Sequence, residues 1–341
     1  MFSAVCLGTA VLVATCAALN PSQLIQGSEL GYDGAAESLA PEPNGELPFD
    51  VLAMHASQQM ERFDALRLSG RVPAEDSIGL LTTIFLGLFD HRRSHEREVL
   101  AAFAVNVANP LISAVHVLLE AHPKRIGGDC SGLRGLLEDA SSREVPQFHK
   151  VICVQVTERP MYGDLFTYAD TRMPVGRVII SNADVVYDET LAQLPELEEH
   201  VGVHLLSIKP PPYEGAFKEV FGHQCPKEPY GTSTSCLWHT RSWDAYVFRT
   251  PLPANLTESH NLQFPMSWMS SEFYMASALL DSGMKLTNPC MFVHAYHWHC
   301  FGDKMHATFD KSKLPPIKNK YTSFPCKDFP SESENGCHGW H

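Results

Sequence analysis

A run of branched apolar residues, Val178-Ile179-Ile180, stops at Ser181 and gives way to Asn182-Ala183-Asp184, with a second acid at Asp188. An amide and a carboxylate two positions apart at the end of a strand-like run are oxygen donors for a hard divalent cation. Mg2+ and Mn2+ take such donors and commonly share them with a substrate diphosphate. The same residues also suit a turn that caps a helix beginning near Glu189. A second candidate is HAYHWHC, from His294 to Cys300. On a strand, His297 and His299 project to one face and His294 to the other. Two imidazoles on one face near a strand end bind a metal or hold a phosphate, or they form a packed rim with Tyr296 and Trp298. A zinc site would require a further ligand, and the chain has no paired C-x-x-C.

Other charges fall at places where chemistry is done. Asp244 interrupts the apolar strand SWDAYVF, and Glu272 opens a helix, where its charge also suits the dipole. Arg92, Arg93, Arg159 and Arg241 flank predicted elements. Singly such arginines are solvated; as a set at strand ends they neutralise a diphosphate. No G-x-S-x-G, P-loop or G-x-G-x-x-G occurs, so serine hydrolases, P-loop NTPases and dehydrogenases lack their signatures.

These residues need a scaffold, and the pattern supplies one. Phe49 to Leu68 predicts a short helix. SIGLLTTIFL, LISAVHVLLEA, KVICVQV and GRVIIS predict four strands. Helices alternate with them: SHEREVLAAFAVNVAN with Leu100, Phe103 and Val107 on one face, CSGLRGLLEDASS, and MYGDLFTYADTRM with Tyr162, Leu165, Phe166 and Ala169 at helical spacing. Such alternation predicts an α/β fold with a mostly parallel sheet covered on both faces, and ligands beyond the carboxyl ends of its strands. Later segments are less regular. HLLSIK and SWDAYVFRTPLP predict strands. SSEFYMASALLDSG predicts a helix presenting Phe273, Ala276, Ser277 and Leu280, between an N-cap at Ser270 and a stop at Gly283. KLTNPCMFVHAYHWHC predicts one late strand.

The 341 residues carry a formal net charge of -13, which argues against nucleic acid as a partner. Phe2 to Leu19 is apolar or small, and no Lys or Arg precedes Arg62. Residues 1–19 therefore read as a signal peptide cleaved after Ala17, or as a signal anchor, and place the chain in the secretory pathway or outside the cell. Ten cysteines would become eight after cleavage, an even count that suggests disulfides. Cys225 with Cys236 and Cys326 with Cys337 are the expected pairs, and Cys153 reads as a buried thiol. Asn255-Leu256-Thr257 is an N-glycosylation sequon.

The segments LLTTIFLG, VNVANPLISAVHVLLE, ERPMYGDLFTYAD, VIISNADVVYDETL, SWDAYVFRTP and NPCMFVHAYHWHC, in this order, resemble GT-A-type glycosyltransferase-like proteins of the nucleotide-diphospho-sugar transferase superfamily. The resemblance covers roughly Ser77 to Cys300 and is most specific from Arg159 to Leu191. It implies a GT-A-like, Rossmann-like domain over 77–309. A linker and short helical lead-in over 20–76 would precede it, and a Cys- and Pro-containing tail over 310–341 would follow. It also implies transfer of a sugar from a nucleotide-sugar to a glycan, protein or lipid acceptor, with Mn2+ or Mg2+ as cofactor. Asp184, with Asn182 before it, stands at the family's D-x-D position, and His297 or His299 at its late histidine. Thr82, Thr83, Arg93 and Arg159 would serve the nucleotide, and Asp244 or Glu272 would deprotonate the acceptor of an inverting enzyme. Asn182 is a neutral residue where the motif has an acid, and MSSEF replaces an expected Gly-Cys-Asp-Asn-like string. Two other readings remain. One is a metal-dependent hydrolase using Asp184, Asp188, His297 and His299. The other is a carbohydrate-binding or scaffold protein that keeps the fold without catalysis.

Overall fold

A computed structural model describes residues 49–69, 77–85, 93–120, 130–173, 176–198, 200–209, 243–257, 260–266, 271–290 and 292–298. The leader and linker over 1–48, the Cys225–Cys236 and Cys326–Cys337 pairs, Arg92, Arg241, His299, the Arg93 side chain and the tail over 310–341 lie outside this part. Among the described residues no helix is long and apolar enough to cross a membrane.

Helix α1 (Phe49–Leu68) leads into β1 (Ile78–Phe85), α2 (Arg93–Ala108), β2 (Ile112–Glu120), α3 (Cys130–Ser141), β3 (Val151–Val156), α4 (Tyr162–Arg172) and β4 (Arg177–Ser181). Strands β1 to β4 pair in parallel in the order β3-β2-β1-β4. That is the α/β alternation the apolar runs predict. Beyond it come β5 (Val185–Tyr187), β6 (Gly202–Lys209), β7 (Trp243–Arg249), the short α5 (Ala254–Thr257), α6 (Ser271–Asp281), β8 (Lys285–Thr287) and β9 (Ala295–His297). The nine-stranded sheet continues β4-β7-β6-β9-β5, with β8 beside β6. Strand β7 runs antiparallel to both its neighbours.

Alternation along the central strands feeds two cores. Leu80, Val115, Val117, Ile179 and Val247 pack with α1, α2 and α3, whereas Leu81, Val178, Ile180, Tyr246 and Phe248 pack with α4 and α6. Helix α2 is buried continuously from Glu98 to Ala108. It lies under the sheet and between two other helices, so it shows no polar stripe. Tyr162, Leu165, Phe166 and Ala169 form the buried face of α4.

Three expectations change. The late apolar segment is not one strand but two three-residue strands, β8 and β9, separated by Asn288–His294, where Pro289 cannot donate to a ladder. In α6 Ala276 and Ser277 are buried as predicted, together with Ser271, Met275, Ala278 and Leu279, but Phe273 and Leu280 are only half-buried. It does end at Gly283, whose φ of 81° and bonds from Gly283 N–H to Leu280 and Met284 N–H to Leu279 form a left-handed cap. Cys153 is not a buried thiol. It is disulfide-bonded to Cys130 at the start of α3, because β3 is the edge of the sheet and leaves the sulfur within reach of that helix.

Candidate functional site

The carboxyl end of β4 is where the chain leaves the core. Strand β4 is buried throughout, held by β1 on one side and β7 on the other. The Thr82 hydroxyl of β1 donates to the Ser181 carbonyl at 2.8 Å and pins that end. Thr82 is thus spent on the scaffold, and Thr83, also buried, has its hydroxyl 4.0 Å from Met266 Sδ.

Past Ser181 the chain turns. Asn182 N–H donates to the Asp244 carbonyl and its Nδ2 donates to Asp244 Oδ1, both at 3.0 Å. Asp244 can meet it because β7 bulges there. Ala245 pairs with Leu206 and Trp243 with Ser207, leaving Asp244 as the additional residue. A bulge re-aims one side chain out of the regular alternation. This is how a carboxylate occurs inside an apolar strand, and why it faces Asn182.

Asp184 follows two residues later. Its carboxylate Oδ2 lies 2.9 Å from His297 Nε2. The ribbon of β5 and β9 makes this meeting: Val185 is the register partner of His297, and Trp298 N–H donates to the Asp184 carbonyl at 2.7 Å. The two side chains remain 12 % and 16 % exposed, so the pair is open to solvent at one side.

The ribbon itself is fastened by residues that pattern reading did not single out. Asn106 of α2 donates from Nδ2 to the Val185 carbonyl at 2.7 Å and accepts from Tyr187 N–H at 3.2 Å. Asn109 Nδ2 donates to the Tyr187 carbonyl at 3.1 Å. Two buried asparagines therefore stand in for a neighbouring strand. The signal in the sequence is VNVANP, one amide in the closing turn of a buried helix and one directly after it.

Asp188 does not join Asp184. It caps the 3-10 turn Glu189–Gln193, accepting from the Thr190 N–H at 2.9 Å and from the Thr190 hydroxyl, while its other oxygen accepts from Tyr296 at 3.0 Å. Burial opposes its charge, but bonds from His294, Thr190 and Tyr296 outweigh burial and hold the carboxyl below the usual range. The helix-cap reading of this stretch holds for Asp188.

The remaining acids converge on buried tyrosines. Tyr162 and Tyr246 stack edge-to-face at 5.7 Å. Burial above all raises both phenols well above their ordinary range, with Asp244 and Glu272 adding to it at Tyr162, and Tyr162, Glu272 and Asp244 adding to it at Tyr246. Asp244 and Glu272 are therefore neighbours of one buried pair, Glu272 coming from the first turn of α6. Arg159 lies with its guanidinium 4.8 Å from the centre of the Phe85 ring, at the carboxyl end of β1.

Asp184 and His297 offer one oxygen and one nitrogen donor. That pair fits a divalent cation, and its imidazole suits Mn2+ better than Mg2+. Among the described residues no cluster of three His, Cys, Asp or Glu side chains assembles.

No family model matches the chain, and no curated protein matches it. Among solved structures, it is similar to a mannosyltransferase from Pyrobaculum calidifontis in complex with GDP-Man and Mn2+. The identity is 15 % and the TM-score 0.36, over 73 % of this chain and 68 % of the other. It is also similar to the inositol-1-phosphate CTP transferase from T. maritima, with 11 % identity and a TM-score of 0.32, over 67 % of this chain and 93 % of the other.

Proposed function

We propose that this protein is a glycosyltransferase that takes its sugar from a nucleotide-sugar and requires a divalent cation. The observation that carries the reading is the meeting of Asp184 and His297 at the carboxyl end of β4, with Asp244 bonded to Asn182 beside them. Asp184 and His297 would hold the cation, which supplies positive charge to a leaving diphosphate. In an acidic chain, Arg159 at the end of β1 would add to that charge. Asp244, fixed by Asn182, would take the proton of the acceptor hydroxyl in an inverting reaction, with Glu272 as the other candidate base. The Tyr162–Tyr246 pair beneath them stays protonated and so adds no negative charge.

The test is calorimetry with UDP- and GDP-sugars in the presence and absence of Mn2+. Wild type should bind at least one nucleotide-sugar in an Mn2+-dependent way. Asp184→Ala should lose that binding and keep its circular dichroism. Equal binding by wild type and Asp184→Ala would sink the metal assignment.

A second reading is favoured by one observation, the lack of a third ligand among the described residues. It is a carbohydrate-binding or scaffold protein without catalysis. Wild type that binds no nucleotide-sugar but retains glycan binding would decide for it. On either reading we assign the chain to the secretory pathway. Two disulfides support this: Cys130–Cys153, and one at Cys290 whose partner lies outside the described residues. The sequon residue Asn255 is exposed, its Nδ2 donating to the Ser282 carbonyl at 2.8 Å.

A further inference from the structure

The chain holds one N-x-S/T tripeptide whose middle residue is not proline, Asn255-Leu256-Thr257; Asn20-Pro21-Ser22 is barred by its proline. The fold keeps the three residues in a surface turn. They close the four-residue helix α5, which follows β7. Leu256 is fully buried in the core shared with α4 and α6, and its N–H donates to the Pro253 carbonyl at 2.9 Å. That anchor leaves Asn255 on the outside, where it is exposed. In the folded chain its Nδ2 donates at 2.8 Å to the carbonyl of Ser282, the residue just past the end of α6.

This turn lies at the end of the sheet remote from Asp184. Arg249, the last residue of β7, pairs with Arg177, the first of β4. Beyond it, Thr250 N–H donates to the Gly176 carbonyl and Leu252 N–H to Asp170 Oδ1, so the chain is tied to the amino end of β4 before it reaches α5. Ser282 reaches the same end, because Lys285 three residues on pairs with Gly202 at the start of β6. Asp184 lies past the carboxyl end of β4. A sugar chain on Asn255 therefore stands clear of the candidate site by at least the length of β4, about 13 Å.

We propose that Asn255 receives an N-linked glycan before the chain folds. The inference rests on the secretory-pathway assignment, which the Cys130–Cys153 disulfide supports independently of the sequon. The donor is an oligosaccharide on a polyprenyl diphosphate. A bond forms between Asn255 Nδ2 and the sugar C1 as the bond from C1 to the diphosphate oxygen breaks. The electrons of that bond leave with the diphosphate, and one amide proton passes to a base. The timing follows from the fold. Nδ2 is engaged by Ser282, and the middle residue of the tripeptide is locked in the core, so the segment enters an enzyme's cleft only when the turn is undone. The product still fits the fold. The amide has two N–H groups and gives up one, so the other remains to donate to the Ser282 carbonyl beneath an exposed glycan.

The full chain, recovered from the secretory pathway of a eukaryotic host, is compared before and after peptide-N-glycosidase. Wild type should lose the mass of one glycan, and the carboxylate that the enzyme leaves at residue 255 should appear in peptide mapping. Asn255→Gln and Thr257→Ala should show no shift, and Thr257→Ser should keep it. Thr257→Ala retains Asn255 and its amide, so a folding defect of Asn255→Gln does not confuse the result. For the timing, oligosaccharyltransferase and lipid-linked donor are given protein secreted under a glycosylation inhibitor, either folded or reduced and carboxymethylated. The unfolded chain should be modified and the folded one not; equal modification of both would overturn the order of events. A shift that persists in Asn255→Gln would overturn the site. Wild type with Cys130 and Cys153 linked but no glycan would overturn it too, while leaving the compartment standing. Unmodified wild type with both as free thiols would remove both.

Discussion

The Asp184 carboxylate and the His297 imidazole meet at 2.9 Å across 113 residues of chain. Neither β4 nor β9 alone creates this pair; the β5–β9 ribbon does, by putting Val185 opposite His297. A double-mutant cycle with Asp184→Asn and His297→Gln in metal-free buffer should therefore give a coupling of about 0.5–3 kcal/mol, as for other residues in contact. Urea unfolding of the four proteins measures it. Additive single effects would mean that the two side chains are not paired in solution.

Asn106 is the residue on which that ribbon depends. Its amide serves two backbone groups at once, so Asn106→Ala leaves both the Val185 carbonyl and the Tyr187 N–H without partners. At about 1–3 kcal/mol for each stranded buried group, the loss should be among the largest for any single polar residue here. Asn106→Asp is the sharper test. A charged carboxylate can accept from Tyr187 but repels the Val185 carbonyl, whereas a protonated one restores both bonds. Its folded pKa should therefore be raised. The folded state would bind the additional proton, and the stability of this variant should increase as pH falls toward the acid range. Denaturation midpoints at neutral and mildly acidic pH, set against wild type, check the sign.

How much of this was legible in the sequence depends on the range of the interaction. The strand at Val178–Ser181, the helix face of Tyr162 and Phe166, and the left-handed stop at Gly283 follow from local spacing, and the structure has them where the pattern predicts. Asp184 at a strand end was legible too, because an apolar run that breaks into polar residues marks an exit from the core. Asp244 was visible as an anomaly but not as a bulge. The missing partner is in β6, whose register the sequence does not encode locally. Asn106 and Asn109 do not stand out in the sequence, because the buried end of α2 offers no polar face against which an amide contrasts. The run around Cys153 predicts a core thiol, since an apolar run does not reveal that its strand lies at the edge of the sheet.

The Cys130–Cys153 disulfide joins the start of α3 to β3 over 23 residues. Closing a loop of that size restricts the unfolded chain, so Cys130→Ser or Cys153→Ser should cost about 2–4 kcal/mol. Peptide mapping without reductant should recover the linked pair from protein purified from a secretory compartment. Recovery of both as free thiols from such a sample would contradict the bond.

Lys150 buries its charge, and among the described residues its hydrogen-bond acceptors are neutral. Its Nζ donates at 2.6 Å to the carbonyls of Asn109 and Ile112 and at 3.2 Å to Gln147 Oε1. It thereby ties down the residue whose side chain holds Tyr187. Burial lowers the ammonium pKa to about 7. An unfolded lysine titrates near 10.4, so between about pH 7 and pH 10 the unfolded chain holds a proton that the folded one has released. Stability from this group therefore rises with pH across that window, and below about pH 7 the cost of burying the charge is complete. Lys150→Met has no such titration and strands two carbonyls. It should be less stable than wild type by about 1–3 kcal/mol at neutral pH. The gap should then widen as pH rises toward about 9.5, while the neutral amine still donates to its two carbonyls. Urea unfolding of both proteins across that range measures the gap. A gap that stays constant or narrows would mean that the three acceptors keep the ammonium charged despite its burial.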